Sequence, residues 1–216
     1  AKYNAYVARA EDWAQSRSIH HEYLSVGQSA GSTIVTPLML PDLLYELDII
    51  APIGRPKHCV PGAVTVDNTI YLDAQPGVSG ELSAQVESMY QGFGQVLKAS
   101  GAGWGDLVWS YGYVTRHDVI SQLRDIRYRY MHAGEVAQTS FVCGLGEPDF
   151  LIRSELIATT AERRAFTVPG VSVSTGVAHA VKAGNIVYVQ GQVARDVEGN
   201  PVAPGDMQGQ AESVFR

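Results

Sequence analysis

"PDLLYELDIIA", ending at Ala51, and "PDFLIRSELIA", ending at Ala158, are one phrase written twice, 107 residues apart. Laying residues 6–51 on 113–158 without a gap makes 16 of 46 positions identical. They include Tyr6/Tyr113, Arg9/Arg116, Arg17/Arg124, Gly27/Gly134, Pro41/Pro148 and Asp42/Asp149. A match of this length is an internal repeat, and each copy of a repeat is one structural unit. A second match runs the other way. "CVPGAVTVDNTIYLDAQ" (59–75) and "GVAHAVKAGNIVYVQGQ" (176–192) agree at 6 of 17 positions, and "QVESMY" (85–90) is answered by "QAESVF" (210–215).

The chain therefore reads as half a unit, a whole unit and half a unit. Residues 1–51 are a C-terminal half, 52–160 a complete unit and 168–216 an N-terminal half. The intervening "TTAERRAFTVPG" (159–170) has the charge, Pro and Gly of a linker. Residues 1–51 and 168–216 are complementary, so they are expected to complete one another within or between chains; the alternative is a piece of a longer tandem array.

Within the whole unit, Val64 and Val66 alternate on one side of "VDNT" and Ile70 and Leu72 on the other, the pattern of a β-hairpin. Val86, Met89, Tyr90, Phe93, Val96 and Leu97 form one apolar helix face, and Gly101 is placed to end that helix. "LVWSYGYVT" alternates as a strand. Asp118 is placed to cap a second helix, with Ile120, Leu123, Ile126 and Tyr130 inward and Gly134 at its end. "TSFVCGL" and "FLIRSELIA" close the unit as strands. The order is β-β-α-β-α-β-β, an α+β unit with helices on one face of a sheet.

Composition narrows the function. The net charge is −6, which argues against a nucleic-acid partner, since phosphate contacts need clustered Lys and Arg. No run of 18 apolar residues predicts a membrane span. Two cysteines make no disulfide framework, and a reduced, cytoplasmic setting is expected. Adjacent His20, His21 and Glu22 diverge around a helix, so a solvated face is expected rather than a metal site. Cys59 and Cys143 read as buried thiols.

"VESMYQGFGQVLKASGAGWGDLVWSYGYVTRHD", "GVAHAVKAGNIVYVQGQVARDVEGNPVAPGDMQGQ" and "PDLLYELDIIA" resemble the helix–turn–strand, the opening hairpin and the closing strand of the reactive intermediate deaminase (RidA, YjgF) family. The resemblance implies a chorismate-mutase-like α+β fold in tandem units. It implies trimers, here a trimer or pseudo-hexamer of repeats, with ligand clefts between units. It also implies hydrolysis of a small-molecule enamine or imine without metal or cofactor. An Arg of that family grips a substrate carboxylate in a bidentate fork, and a Glu positions water.

Carried over by position, the family's Arg falls on Gly31, in "SAGST" beside Ser32, and on Gln138, in "VAQTS". Its Glu is kept as Glu46 and replaced by Arg153; Asp48 and Glu155 keep a second acid two residues on. The Ser of its Ser-Gly-Gln stretch falls on Asp73 and Gln190. The catalytic candidates are thus Glu46 and Glu155. The substrate contacts are Gln138, Arg153, Gly31, Ser32, Asp73 and Gln190. Arg153 and Glu155 share a strand face and could pair. Two functions compete: a RidA-like hydrolase of a C=N compound, or a non-catalytic ligand-binding or assembly module that has lost the Arg. An RNA-cleaving member is disfavoured by charge.

Overall fold

A computed structural model describes residues 2–24, 27–169 and 176–215. Twelve strands and four helices are arranged in three sheets among these residues. The first segment contributes β1 (Lys2–Val7), α1 (Trp13–Tyr23), β2 (Ala30–Val35) and β3 (Tyr45–Ile50). The central unit runs β4 (Lys57–Val60), β5 (Ala63–Val66), β6 (Thr69–Pro76), α2 (Leu82–Ala99), β7 (Leu107–Val114), α3 (His117–Arg127), β8 (Ala137–Val142) and β9 (Ile152–Thr159). The last segment adds β10 (Arg163–Phe166), β11 (Ala180–Ala183), β12 (Ile186–Val189) and α4 (Met207–Phe215).

The central unit is the α+β architecture expected, with one strand more. Its six-stranded sheet has the order β4-β5-β6-β9-β7-β8. The added β4 folds back on β5 through Pro61–Gly62, where Gly62 takes φ +85°, a backbone state open to glycine. The β5–β6 turn lies at "VDNT" as read, with Asp67 at φ +50°. Helix α3 begins at His117 rather than after Asp118, which sits in the first turn and pairs with Arg116; an acid there still complements the helix dipole. Part of the expected linker, 163–166, forms β10 and pairs with β11. Residues 170–175 lie outside the described residues.

β9 occupies the middle of the sheet, and all eight of its residues are buried. Alternation sends Ile152, Leu156 and Ala158 into a core with α2 and α3, where Val86, Met89, Tyr90, Phe93 and Leu123 are almost fully enclosed. It sends Arg153, Glu155 and Ile157 to the opposite face. That face is covered by the other two sheets. β2-β1-β3 lies against β6, and β10-β11-β12 lies against β7 and β8.

The strand pairing carries the sequence offset. β1 and β2 run parallel with Lys2 opposite Ala30, and β7 and β8 pair Trp109 with Ala137. β1 and β3 pair Lys2 with Ile50, and β7 and β9 pair Trp109 with Ile157. Each register maps on the other by 107. Likewise β11–β12 pairs Ala180 with Val189, as β5–β6 pairs Ala63 with Leu72, displaced by 117.

Among the described residues β3 pairs with β1 alone and β12 with β11 alone. Among the described residues the two terminal segments share no strand pairing. No helix is long and apolar enough to cross a membrane among the described residues.

Phe93 is fully buried between α2 and the sheet. Phe93→Ala is expected to cost about 3–5 kcal/mol, measured as the change in unfolding free energy in urea.

Candidate functional site

The face of the central sheet away from the helices packs against the two flanking sheets, and each junction is a candidate cleft. Under the first lies a buried polar cluster. Lys2 Nζ donates to Glu155 Oε1 at 3.0 Å and to Asn4 Oδ1 at 2.8 Å. Tyr113 OH donates to Glu155 Oε1 at 2.8 Å, and Ser32 Oγ to Glu155 Oε2 at 3.2 Å. The ammonium also stands 5.4 Å over the Tyr111 ring, within cation–π range. Lys2 is 5% exposed and Glu155 1%. A buried charge is tolerated only when paired and hydrogen-bonded, and here both conditions are met. Lys2, Asn4 and Ser32 come from the first segment; Tyr111, Tyr113 and Glu155 come from the central unit. Burial, followed by the Glu155 charge, pushes the Tyr113 phenol well above its ordinary pKa, which keeps it a donor.

Beside this cluster β2 crosses β6. The Gly31 amide donates to Asp73 Oδ1 at 2.7 Å. A Cβ at Gly31 would sit 2.1 Å from the Tyr3 carbonyl oxygen, so no side chain can occupy that position without moving β1. Burial raises the Asp73 carboxyl to about 6, and the Glu155 charge adds to it, while the Gly31 amide acts in the opposite direction.

Arg153 is 5% exposed and pairs with Glu147 rather than Glu155. Its guanidinium lies 5.7 Å over the Trp13 ring, which also receives Arg17 at 4.9 Å. Trp13 reaches this place from α1 because Gly146, at φ +73°, leaves room: a Cβ there would stand 2.1 Å from the indole. Desolvation lowers the Arg153 pKa, and its Nε has no hydrogen-bond partner among the described residues. The Arg153–Glu155 pair read from strand spacing is thus not formed; each of the two has a partner from another element.

The second cleft lies where β12 approaches β8. The Gly191 amide donates to the Gln138 carbonyl at 3.2 Å, and the Gln190 amide donates to the His179 carbonyl at 2.9 Å. Gln190 and His179 are buried, and Gln138 is half-buried. His179 Nδ1 accepts from the Val168 amide at 2.9 Å, which leaves Nε2 as the protonated nitrogen. Among the described residues that buried N–H has no partner, and neither does Trp109 Nε1.

The structure thus brings Gly31 beside Asp73, the Gln138 carbonyl onto the Gly191 amide, and Ser32 onto Glu155, while strand alternation turns the Gln138 side chain to the helix face with Ser110 and Leu156. Glu46 lies apart from these pairs. It is exposed on β3, opposite Tyr6, whose hydroxyl donates to Asp48 Oδ2 at 3.1 Å. Tyr6–Asp48 is the Tyr113–Glu155 bond displaced by 107. Lys2 is the site residue that sequence reading missed. The signal was present in the repeat, because a lysine stands there at the position of the buried-sheet Trp109.

His20 corrects another expectation. It is buried, not solvated, and its Nε2 meets the Tyr45 hydroxyl. Burial lowers its pKa. Among the described residues no three His, Cys, Asp or Glu side chains converge as a metal set would require. Cys59 and Cys143 are half-buried free thiols, and burial pushes Cys143 up to about 11, opposite to what a nucleophile needs. The Gln75 side chain lies outside the described residues.

No protein-family profile matches the chain, and no curated protein matches it. Solved structures do. NMB1025 of Neisseria meningitidis, a member of the YjgF family, is 15% identical over 49% of this chain and 88% of its own, with a TM-score of 0.45. Rv2704 of Mycobacterium tuberculosis, of the same family, is 16% identical over 48% and 86%, with a TM-score of 0.40. Yeast Mmf1 is 17% identical over 50% and 89%, with a TM-score of 0.42. The likeness is to a RidA/YjgF-like fold over about half of the chain.

Removing one partner of a buried ion pair strands the other. Lys2→Met is expected to cost about 3–5 kcal/mol in urea unfolding, and Lys2→Met with Glu155→Gln to recover much of it. Asp73 gives a pH signature. Its folded pKa of about 6 lies above the ordinary carboxylate value, so the stability tied to its protonated form is present below about pH 4 and lost as pH rises through about 6. Asp73→Asn should therefore gain on the parent chain between pH 4 and 7, by about 1–3 kcal/mol, read as diverging Tm values across that range.

Proposed function

We propose that the chain is a RidA-like ligand-binding and assembly module built from tandem units. In this reading the first cleft has become a structural lock, and the second holds a small neutral molecule. The observation that carries the reading is the fate of the two positions that would grip and hydrolyse an imino acid. Gly31 has no space for a side chain, and its amide faces the Asp73 acid; Arg153 is committed to Glu147. An anionic substrate in the first cleft would meet a carboxylate where the family offers a guanidinium, and like charges repel most strongly where water is excluded. Glu155 already receives three donors, so it has little capacity left to activate a water.

The second cleft differs. Gln190 offers an amide and Gln138 its backbone carbonyl, and His179 and Trp109 offer buried N–H donors that have no partner among the described residues. Such groups recognise a carbonyl or amide and add no charge-assisted fork to hold a carboxylate. A neutral carbonyl compound is the ligand class that fits. In the tandem reading, the inter-unit contacts stand in for the subunit contacts of an oligomer.

One observation favours a second reading, hydrolysis of an enamine or imine. Glu46 keeps an exposed acid at the water-positioning place, beside Tyr6 and Asp48. The two readings separate experimentally. Pyruvamide and pyruvate share a ketone and differ in charge. Saturation-transfer NMR should show pyruvamide binding, lost in Gln190→Leu, and no pyruvate binding; equal signals from both would sink the neutral-ligand reading. Imino acids made in place by an amino-acid oxidase should release ammonia no faster than in buffer. A rate above buffer that disappears in Glu46→Gln would establish the hydrolase instead.

A further inference from the structure

A groove of about 300 Å³ lies between α1 and β3, lined by Val7, Ser16, Ile19, Leu44 and Tyr45 among others. Moving each of these by 107 gives Val114, Leu123, Ile126, Leu151 and Ile152. All five belong to, or pack against, the core in which α2 is seated. The groove is therefore the counterpart of the seat of α2, on a sheet that has no such helix over it among the described residues of its segment. Ile19, Leu44 and Tyr45 are each 40% exposed or more, while Val114 and Ile152 are fully enclosed.

The neighbouring strand is open in the same way. β9 pairs on both edges, with β7 and β6, whereas β3 pairs with β1 alone among the described residues. Ile49 and Ile50 are about half exposed along it. An unpaired strand edge beside an apolar groove is a template for an added strand.

A third correspondence concerns Gln85. From α2 its side chain donates to the Asp149 carbonyl at 2.9 Å and accepts from the Leu151 amide at 2.9 Å. Those backbone groups belong to "PDFL". The first segment repeats the phrase as "PDLL", with Asp42 and Leu44 at the same places. The repeated Pro-Asp phrase is thus the docking loop for a helix glutamine.

We propose that the α1–β3 groove is a docking site for a strand–helix segment of this same repeat. The strand adds antiparallel to the free edge of β3, in the register of β6 on β9, so that the counterpart of Tyr71 lies opposite Ile50. The helix lays a Leu-x-x-Gln-Val-x-x-Met-Tyr face into the groove, and its Gln bridges the Asp42 carbonyl and the Leu44 amide. The proposal rests on packing and is independent of the ligand reading.

The probe is a fluorescein-labelled synthetic peptide of residues 69–99, which carries β6 and α2. Its anisotropy should saturate on titration with the 216-residue chain, and a scrambled peptide should not saturate. Ile19→Glu in the chain and Gln85→Ala in the peptide should each weaken binding by about tenfold or more. Ile19 is exposed, so its variant should keep the parent circular dichroism. A fusion of 69–99 ahead of Lys2 through a flexible linker gives a second readout: Tm should rise, and Ile19→Glu should remove the rise. Equal binding of the scrambled peptide, or indifference to both substitutions, overturns the proposal. So does a sedimenting dimer of the chain that Ile19→Glu dissolves, which would assign the groove to a second copy.

Discussion

The structure turns on a strand with water on neither face. β9 lies in the centre of the six-stranded sheet, and alternation forces Arg153 and Glu155 towards the side away from the helices. In a lone unit that side would be wet, and the two charges would be solvated. Here it is covered, so each charge needs a partner from the covering chain or from a nearby loop, because an unpaired buried ion costs several kcal/mol. Lys2 answers Glu155, and Glu147 with Trp13 answers Arg153. The first segment is thereby fixed in position and register, since a one-residue slip of β1 would turn Lys2 to the other face.

The same requirement explains why two copies of one phrase diverged. In the central unit Tyr113 and Glu155 are enclosed, and their hydrogen bond is one member of a cluster. In the first segment Tyr6 and Asp48 make the equivalent bond near solvent. Water can satisfy Asp48, so no lysine is needed at its side. Glu46 can remain an acid because it too is exposed. At the matching place in the central unit the residue is buried beside an indole, and a guanidinium stacks on an aromatic face with less desolvation than a carboxylate would suffer.

Much of this was legible in the sequence, for reasons specific to each element. The apolar face from Val86 to Leu97 specified α2, and the alternation across "VDNT" specified the β5–β6 hairpin. Both signals are local. The offset of 107 anticipated the strand registers, because loops of equal length between corresponding strands close in the same way. β4 escaped notice because "KHCV" is short and polar at its start. β10 escaped because "RRAF" has the charge of a linker; its strand state comes from pairing with β11, a tertiary effect. The Arg153–Glu155 pairing failed because shared strand face is a weaker constraint than a partner delivered from another element. His20 looked solvated on helix spacing alone, and only the fold shows Tyr45 above it.

Whether RidA-like chemistry survives here depends on which groups remain free, more than on which residue types remain. Glu155 keeps an acid of the family pattern, yet Lys2, Tyr113 and Ser32 converge on it, so its lone pairs serve cohesion. At Gln138 the charge of the family's Arg is lost and the backbone carbonyl meets β12, beside Gln190 and two N–H donors that have no partner among the described residues. A buried donor without a partner costs about 1–3 kcal/mol, and a stable chain sustains that cost where some other molecule relieves it. By that criterion the proposed ligand site falls in the cleft that departs further from the deaminase pattern. The cleft that keeps the acid is the one that holds the segments together.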